Sequence, residues 1–208
     1  MDIQKQQIPV IILCGGRGTR LKEETEIIPK PLVRIGNEPI LWHIMKTFGF
    51  YGFEHFLIAG GYKVEKIKEY FVNYISLHGD FTVDFSNEKN LIMHTPIKEQ
   101  WKITVVDTGV NSQTGARIKH LEPYLNNDLF MMTYGDGVAN VNIDKLIKFH
   151  RSHGKLATVT GVHPSARFGE ITIKNDVAVN FLEKPQLREG YVNGGYFVLS
   201  KNILKLLN

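Results

Sequence analysis

A single cysteine, Cys14, occurs in the 208 residues, so no internal disulfide can form and a cysteine-based zinc cluster is excluded. Eight histidines are present, but none falls into an H-E-x-x-H or comparable ligand spacing, and no zinc is assigned. No apolar run approaches the roughly 18 residues a membrane-crossing helix needs. Met1 to Gln7 is polar and lacks the apolar core of a secretory leader, so a cytoplasmic setting and no membrane partner are expected. Long blocks of one charge are also missing. The 25 basic and 21 acidic residues leave a net charge of only +4, which argues against nucleic acid and fits small anionic substrates. There is no internal repeat, low-complexity tract or linker. With 43% hydrophobic and 22% charged residues, residues 1–208 are expected to form one domain around one core.

What the chain does have is concentrated glycine after an apolar run. Val10 to Leu13 has strand length, and it ends abruptly at Gly15, Gly16 and Gly18. Glycines at that density let backbone N–H groups close on an anion, and phosphate is the natural guest. Two familiar glycine patterns fail here. A Walker loop needs a second glycine where Arg20 stands, and a dinucleotide fingerprint needs its third where Leu21 stands. The pattern that remains continues into Arg20 and then Pro29-Lys30-Pro31. Arg20 offers a bidentate fork and Lys30 a compact charge held in an extended approach by its prolines, a pair able to clamp a triphosphate.

Further along, strand and helix signals alternate. Pro39 opens a helix with Ile40, Leu41, Ile44, Met45 and Phe48 on one face. Phe56 to Ala59 reads as a strand, followed by a helix with Val64, Ile67, Tyr70, Phe71 and Tyr74 inward. Gly79 to Trp101 has the short alternation of a hairpin. Ile103 to Val106 resumes the sheet and leads into a glycine-bearing loop, after which a helix from Ala116 to Leu125 is interrupted at Pro123. Asp128 to Thr133 is a strongly apolar strand ending in Tyr134-Gly135-Asp136-Gly137. A carboxylate there, flanked by glycines at a strand's carboxyl end, is a plausible Mg²⁺ ligand, although Asp-Gly alone reads as a turn. Asn142 caps a helix with Ile143, Leu146, Ile147 and His150 on its inward face; His150 and His153 read as solvated or satisfied at its end. Leu156 to Gly161 is a strand, Ile171 to Ile173 pairs with Ala178 to Leu182 across Asn175-Asp176, and Tyr196 to Leu199 is the final strand. Ser200 caps a last helix with Ile203, Leu204 and Leu207. The alternation predicts an α/β fold, a Rossmann-like, mostly parallel sheet flanked by helices.

Leu13-Cys14-Gly15-Gly16-Arg17-Gly18-Thr19-Arg20-Leu21 with Pro29-Lys30-Pro31 resembles the signature of the sugar-1-phosphate nucleotidyltransferases. Trp42 to Lys46 and Val106 to Arg117 make the chain most similar to the glucose-1-phosphate cytidylyltransferase group. The likeness continues through Tyr134 to Val138, Arg167 to Gly169, Glu183 to Pro185 and Asn193 to Gly195. It implies a GT-A-like architecture, and a reaction between CTP and glucose 1-phosphate that yields CDP-glucose and pyrophosphate for surface polysaccharide precursors. Leu13 to Arg20, Lys30, Ser112, Arg117 and Gly135 would bind nucleotide. Gly169, Glu183, Lys184 and Asn193 would bind the phosphorylated acceptor, with Lys184 on its phosphate and Glu183 on a hydroxyl, although Glu183-Lys184 alone reads as a strand-end charge pair. Arg20, Lys30 and Lys184 would be catalytic, and Asp136 would hold Mg²⁺. The likeness also implies a homo-oligomer.

Relatives continue past the equivalent of Asn208 into a segment with a second metal-binding aspartate, so the chain is expected to be short at its C-terminus. Two further readings stay open at this stage: a CTP-dependent enzyme with another acceptor such as phosphoglutamine, and a truncated, inactive nucleotide-binding protein.

Overall fold

The computed structural model describes residues 5–17, 28–86, 91–164, 170–182 and 190–207. Strand β1 (Val10–Cys14) is apolar throughout because it is covered on both faces, the usual condition of a central parallel strand. Alternate side chains feed two cores. Val10, Ile12 and Cys14 enter one, and Ile11 enters the other. Hydrogen-bonded to β1 on its two sides, and parallel to it, are β4 (His55–Gly60) and β8 (Leu129–Tyr134).

The remaining strands are β2 (Arg34–Ile35), β3 (Glu38–Pro39), β5 (Phe81–Val83), β6 (Leu91–Met93), β7 (Lys102–Asp107), β9 (Ala157–Val162), β10 (Glu170–Lys174), β11 (Val177–Leu182) and β12 (Val192–Ser200). Among the described residues β7, β9 and β12 join β1, β4 and β8 in one six-stranded sheet, in the order β7-β4-β1-β8-β12-β9. β12 runs antiparallel to both of its neighbours, and β7, β4, β1 and β8 are mutually parallel. The pairs β2–β3, β5–β6 and β10–β11 are separate two-stranded ribbons. The expected mostly parallel α/β sheet is therefore present.

Helices α1 (Ile40–Phe50), α2 (Val64–Val72) and α5 (Ile143–His153) cover one face. They contribute Leu41, Ile44, Met45, Phe48, Ile67, Ile143 and Ile147 to the first core. The other face is closed by Ile118 of α4 (Thr114–His120) together with Leu121, Leu125 and Leu204. Asn142 caps α5 as its sequence position predicts, its Oδ1 accepting from the Lys145 N–H at 2.9 Å. At Asn175 and Asp176 both φ values are positive, the geometry a two-residue hairpin turn requires.

Four local expectations are revised. The helix expected from Val64 to Tyr74 is split at Asn73, and α3 (Tyr74–His78) begins afresh there. That break lets the Tyr74 hydroxyl accept from Trp42 Nε1 at 2.9 Å while its ring stacks on His78. The helix around Pro123 ends at His120 and gives way to a 3₁₀ turn, Glu122–Tyr124. The final helix, Lys201–Leu206, is 3₁₀ as well. β12 begins at Val192, because a Cβ on Gly194 would stand 2.9 Å from Val162 and 3.0 Å from the Thr160 carbonyl; the glycine serves close strand packing there.

His150 is buried, as its place on the inward face of this helix predicts. The Lys155 N–H donates to His153 Nδ1, so His153 Nε2 carries the proton that goes to Thr158 Oγ1. The Thr158 hydroxyl then donates to His150 Nδ1 at 2.8 Å. Burial pushes the His150 pKa below its ordinary 6.5, with His153 and Arg151 adding to the effect. His55, lowered by burial and by Lys102, acts in the same direction. Below pH 6.5 the unfolded chain binds these protons first, so stability is retained above that pH and falls as pH drops toward the folded-state values. Urea midpoints at pH 7.5 and 5.5 should show this loss, and His150→Gln should reduce it.

Candidate active site

The site begins where β1 and β8 end side by side. The Gly135 N–H donates to the Leu13 carbonyl at 3.0 Å, which ties the Tyr134-Gly135-Asp136 turn to the glycine turn. Gly135 cannot be larger, since a Cβ there would lie 2.6 Å from Cys14 Sγ and 3.0 Å from the Leu13 carbonyl. Between the turns opens a cleft of about 390 Å³, bounded by Gly15, Gly16, Lys30, Ser112, Arg117 and Asp136 among others. That volume lies within the ordinary range of small-molecule sites. Its position outside the carboxyl ends of parallel strands is where α/β sheets bind ligands.

Lys30 crosses this cleft. Its Nζ lies 2.7 Å from Asp136 Oδ2, with both side chains partly open to water. The extended approach expected for Pro29-Lys30-Pro31 holds only at Pro29 (φ −67°, ψ 145°); Lys30–Leu32 form a 3₁₀ turn. Pro31 fits this turn because a first-turn residue needs no N–H donor. The lysine is thereby fixed opposite the carboxylate.

Arg117 lies beneath the glycine turn. Its Nη1 donates to the Gly60 and Gly109 carbonyls and to Thr108 Oγ1 at 3.1, 2.8 and 2.7 Å. Nη2 donates to the carbonyls of Gly15 and Val110 at 3.0 and 3.2 Å. The Gly15 carbonyl also accepts from the Tyr62 N–H. In a trans peptide the next N–H points opposite the carbonyl, so anchoring the Gly15 carbonyl turns the Gly16 N–H away from Arg117. Gly16 has open space around it. A buried guanidinium thus sets the orientation of the Gly15–Gly16 peptide. Burial pushes the Arg117 pKa below its ordinary value, opposed by the negative charge of Asp107. Gly15 and Gly61 are glycines for the same reason, since a Cβ on either would fall 2.0 and 2.5 Å from Arg117 Nη1.

The other expected residues take varied places. Arg17 Nη2 donates to Asn111 Oδ1 at 2.8 Å, linking the glycine turn to the loop after β7. Ser112 lines the cleft, and its hydroxyl donates to the Thr108 carbonyl to close that loop. The Cys14 thiol is buried, and burial together with Asp136 pushes its pKa far up, so it is no nucleophile. Asn193 donates through Nδ2 to the Tyr134 hydroxyl at 3.1 Å, which places it beside the cleft wall. Gly18, Thr19, Arg20, Gly169, Glu183 and Lys184 lie outside the described residues. Thr108, Gly60, Gly61 and Tyr134 were not singled out from the sequence. Thr108 and Tyr134 do fall inside the quoted motifs, which was the available signal.

The donor set suits one kind of metal. Among the described residues no three histidine, cysteine or acidic side chains gather as a metal cage. A single carboxylate facing a phosphate-sized cleft fits Mg²⁺, which commonly takes one or two carboxylates and completes its shell with waters and substrate phosphates.

A glycine turn, a fixed lysine and a carboxylate at adjacent strand ends describe a nucleotide-handling site, and the nucleotidyl transferase family model matches residues 9–208. The chain belongs to the nucleotidyl transferase family. This nucleotidyltransferase is 46% identical to a Bacillus subtilis protein named "Probable glucose-1-phosphate cytidylyltransferase", over 95% of the chain and 76% of the relative. It is 45% identical to the glucose-1-phosphate cytidylyltransferase of Salmonella typhimurium, over 95% of the chain and 77% of the relative. Among solved structures, a UDP-glucose pyrophosphorylase complexed with UDP-glucose superposes with a TM-score of 0.62 at 16% identity, covering 96% of this chain and 78% of the other. That likeness carries the GT-A-like fold. Among the described residues no helix is long and apolar enough to cross a membrane.

Proposed function

We propose that this nucleotidyltransferase is a glucose-1-phosphate cytidylyltransferase, joining CTP and glucose 1-phosphate to give CDP-glucose and pyrophosphate. The observation that carries the reading is the pairing of the braced Gly15–Gly16 turn with Lys30 and Asp136 in one cleft. The names of the two relatives support the choice of base and sugar. A phosphate oxygen of glucose 1-phosphate attacks the α-phosphorus of CTP. A new P–O bond forms there as the bond to the bridging oxygen of the β-phosphate breaks, and pyrophosphate leaves with that electron pair.

The nucleophile is already an anion near neutral pH, so no Ser-His or Cys-His activation is required. What the protein supplies is alignment and neutralisation of charge. The Gly16 N–H and Lys30 receive triphosphate oxygens, Arg20 steadies the departing pyrophosphate, and Lys184 holds the sugar phosphate against the repulsion of two anionic reactants. When bound at Asp136, Mg²⁺ supplies further charge neutralisation on the phosphates. We place this chemistry in the cytoplasm, in precursor synthesis for surface polysaccharide, and in a homo-oligomer.

Pyrophosphate release tests the assignment. The purified chain is assayed with Mg²⁺ and CTP, UTP, dTTP or GTP, each with glucose 1-phosphate, phosphoglutamine or no acceptor. Release is expected with CTP and glucose 1-phosphate. Release with CTP and phosphoglutamine alone would move the assignment to another acceptor, and release only with another nucleotide would overturn the base.

A further inference from the structure

We propose that Gln113 reads the base of the bound nucleotide, pairing its side-chain amide with the edge that carries the 4-position of a pyrimidine. The inference rests on the nucleotide reading of this cleft. Strand order sets out the cleft from end to end. Asp136 follows β8, the glycine turn follows β1, and Gln113 follows β7, which stands three strand spacings, about 14 Å, from β8. A nucleotide with its phosphates at Lys30 and Asp136, running back over Gly16 across the strand ends, delivers its base to the β7 side. Gln113 lines the cleft there, between Ser112 and Thr114.

The loop that carries Gln113 is tied down along its length. The Gly109 N–H donates to Asp107 Oδ1 at 2.9 Å, Arg117 holds the Gly109 and Val110 carbonyls, Arg17 holds Asn111, and the Ser112 hydroxyl donates to the Thr108 carbonyl. A loop fixed in this way presents its next side chain from a set position, which lowers the ordering cost of binding. Other polar groups bounding the cleft already have partners. Lys30 is paired with Asp136, the Tyr134 hydroxyl accepts from Asn193, and Arg117 spans backbone carbonyls. Gln113 differs from them. At the start of α4 it makes no cap bond, and among the described residues its side chain has no hydrogen-bond partner. Thr114 brings a single hydroxyl oxygen, whereas an amide offers an acceptor and a donor side by side in one plane. Cytosine presents its N4 amino group, a donor, next to the N3 acceptor, and so matches the amide. Uracil presents the reversed pair, which the amide meets when turned over. Gln113 therefore contributes affinity to both bases, and converting it to a pure acceptor or a pure donor separates them.

Titration calorimetry of CTP, UTP and inorganic tripolyphosphate with Mg²⁺, on the parent chain and three variants, tests this. Gln113→Met, similar in size but without the amide, should weaken CTP and UTP alike by on the order of tenfold and leave tripolyphosphate unchanged. Gln113→Glu can accept from the cytosine amino group but opposes uracil O4, so the ratio of CTP to UTP affinity should rise about tenfold. Gln113→Lys, which can only donate, should lower that ratio about tenfold. The ratio cancels the effect of the added charge on the triphosphate, which both nucleotides share. Because Gln113 is exposed, the far-UV circular dichroism of the variants should match that of the parent. A ratio unmoved by Glu and Lys, in variants that still bind nucleotide, would overturn the base-reading role and leave the nucleotide site standing. Equal losses of CTP and tripolyphosphate in Gln113→Met would overturn it too, assigning Gln113 to the phosphates. A parent chain that binds neither CTP nor UTP would overturn the nucleotide reading itself, and this inference with it.

Discussion

Arg117→Ala is expected to weaken binding of CTP and of inorganic tripolyphosphate by the same factor, about 10- to 100-fold. The guanidinium satisfies four backbone carbonyls and one hydroxyl from three segments: the glycine turn, the end of β4 and the loop after β7. Removing it takes away the side-chain donor to the Gly109 and Val110 carbonyls, at a cost of about 1–3 kcal/mol for each that water cannot reach, while the Gly15 and Gly60 carbonyls keep the Tyr62 and Thr108 donors. It also leaves the Gly15 carbonyl held only by the Tyr62 N–H at 3.3 Å, so the Gly16 N–H is aimed less firmly at phosphate. Arg117→Lys keeps the charge but has no planar fork to span five acceptors, so it should recover stability more than affinity. Gly15→Ala should reproduce the binding loss, because its Cβ displaces the guanidinium. Titration calorimetry with the two ligands separates the alternatives. If CTP affinity falls while tripolyphosphate affinity is unchanged, Arg117 reads the base directly and does not act as a brace.

The second large effect is expected at Lys30 and Asp136. Lys30→Ala should lower kcat/KM by about 10²–10³, the usual loss when one preorganised electrostatic group is removed from a transition state. Asp136→Asn should lower the rate comparably and raise the Mg²⁺ concentration needed for half-maximal rate. Neither change should cost much stability. The pair is 2.7 Å apart but 30% and 46% exposed, and ion pairs open to solvent contribute about 0–1 kcal/mol. The prediction is thus a large kinetic change with little movement of Tm. A drop in Tm at nearly unchanged kcat/KM would reassign the pair to a structural role.

The parts of this protein that can be read from sequence are those whose cause is local. An apolar run stopped by glycines marked β1 and the glycine turn, and the same logic marked β8 and Asp136. Asn142 announced the start of α5, and Asn175-Asp176 announced a hairpin, because caps and turns act over a few residues. Arg117 could be placed in the site only through resemblance, and its manner of action was not legible. Its acceptors at Gly15 and Gly60 are far away in sequence and meet it only once β1, β4 and β7 are aligned. The start of β12 was missed for a related reason, since only Tyr196 to Leu199 was read as strand. Gly194 interrupts the apolar pattern there, yet its missing Cβ permits close packing of β12 on β9. The break at Asn73 carries no proline or glycine, and the tertiary contacts of Tyr74 with Trp42 and His78 accompany it. The inward place of His150 could be read from helix spacing, but its partner could not, because Thr158 lies on the next strand.

The most direct test of the account is ³¹P nuclear magnetic resonance of the purified 208-residue chain with CTP, glucose 1-phosphate and Mg²⁺. The account predicts growth of the paired diphosphate resonances of CDP-glucose together with pyrophosphate, in equal amounts, and their reversal when pyrophosphate is added to CDP-glucose. Persistence of CTP and glucose 1-phosphate unchanged, in a sample where calorimetry shows CTP bound, would contradict it.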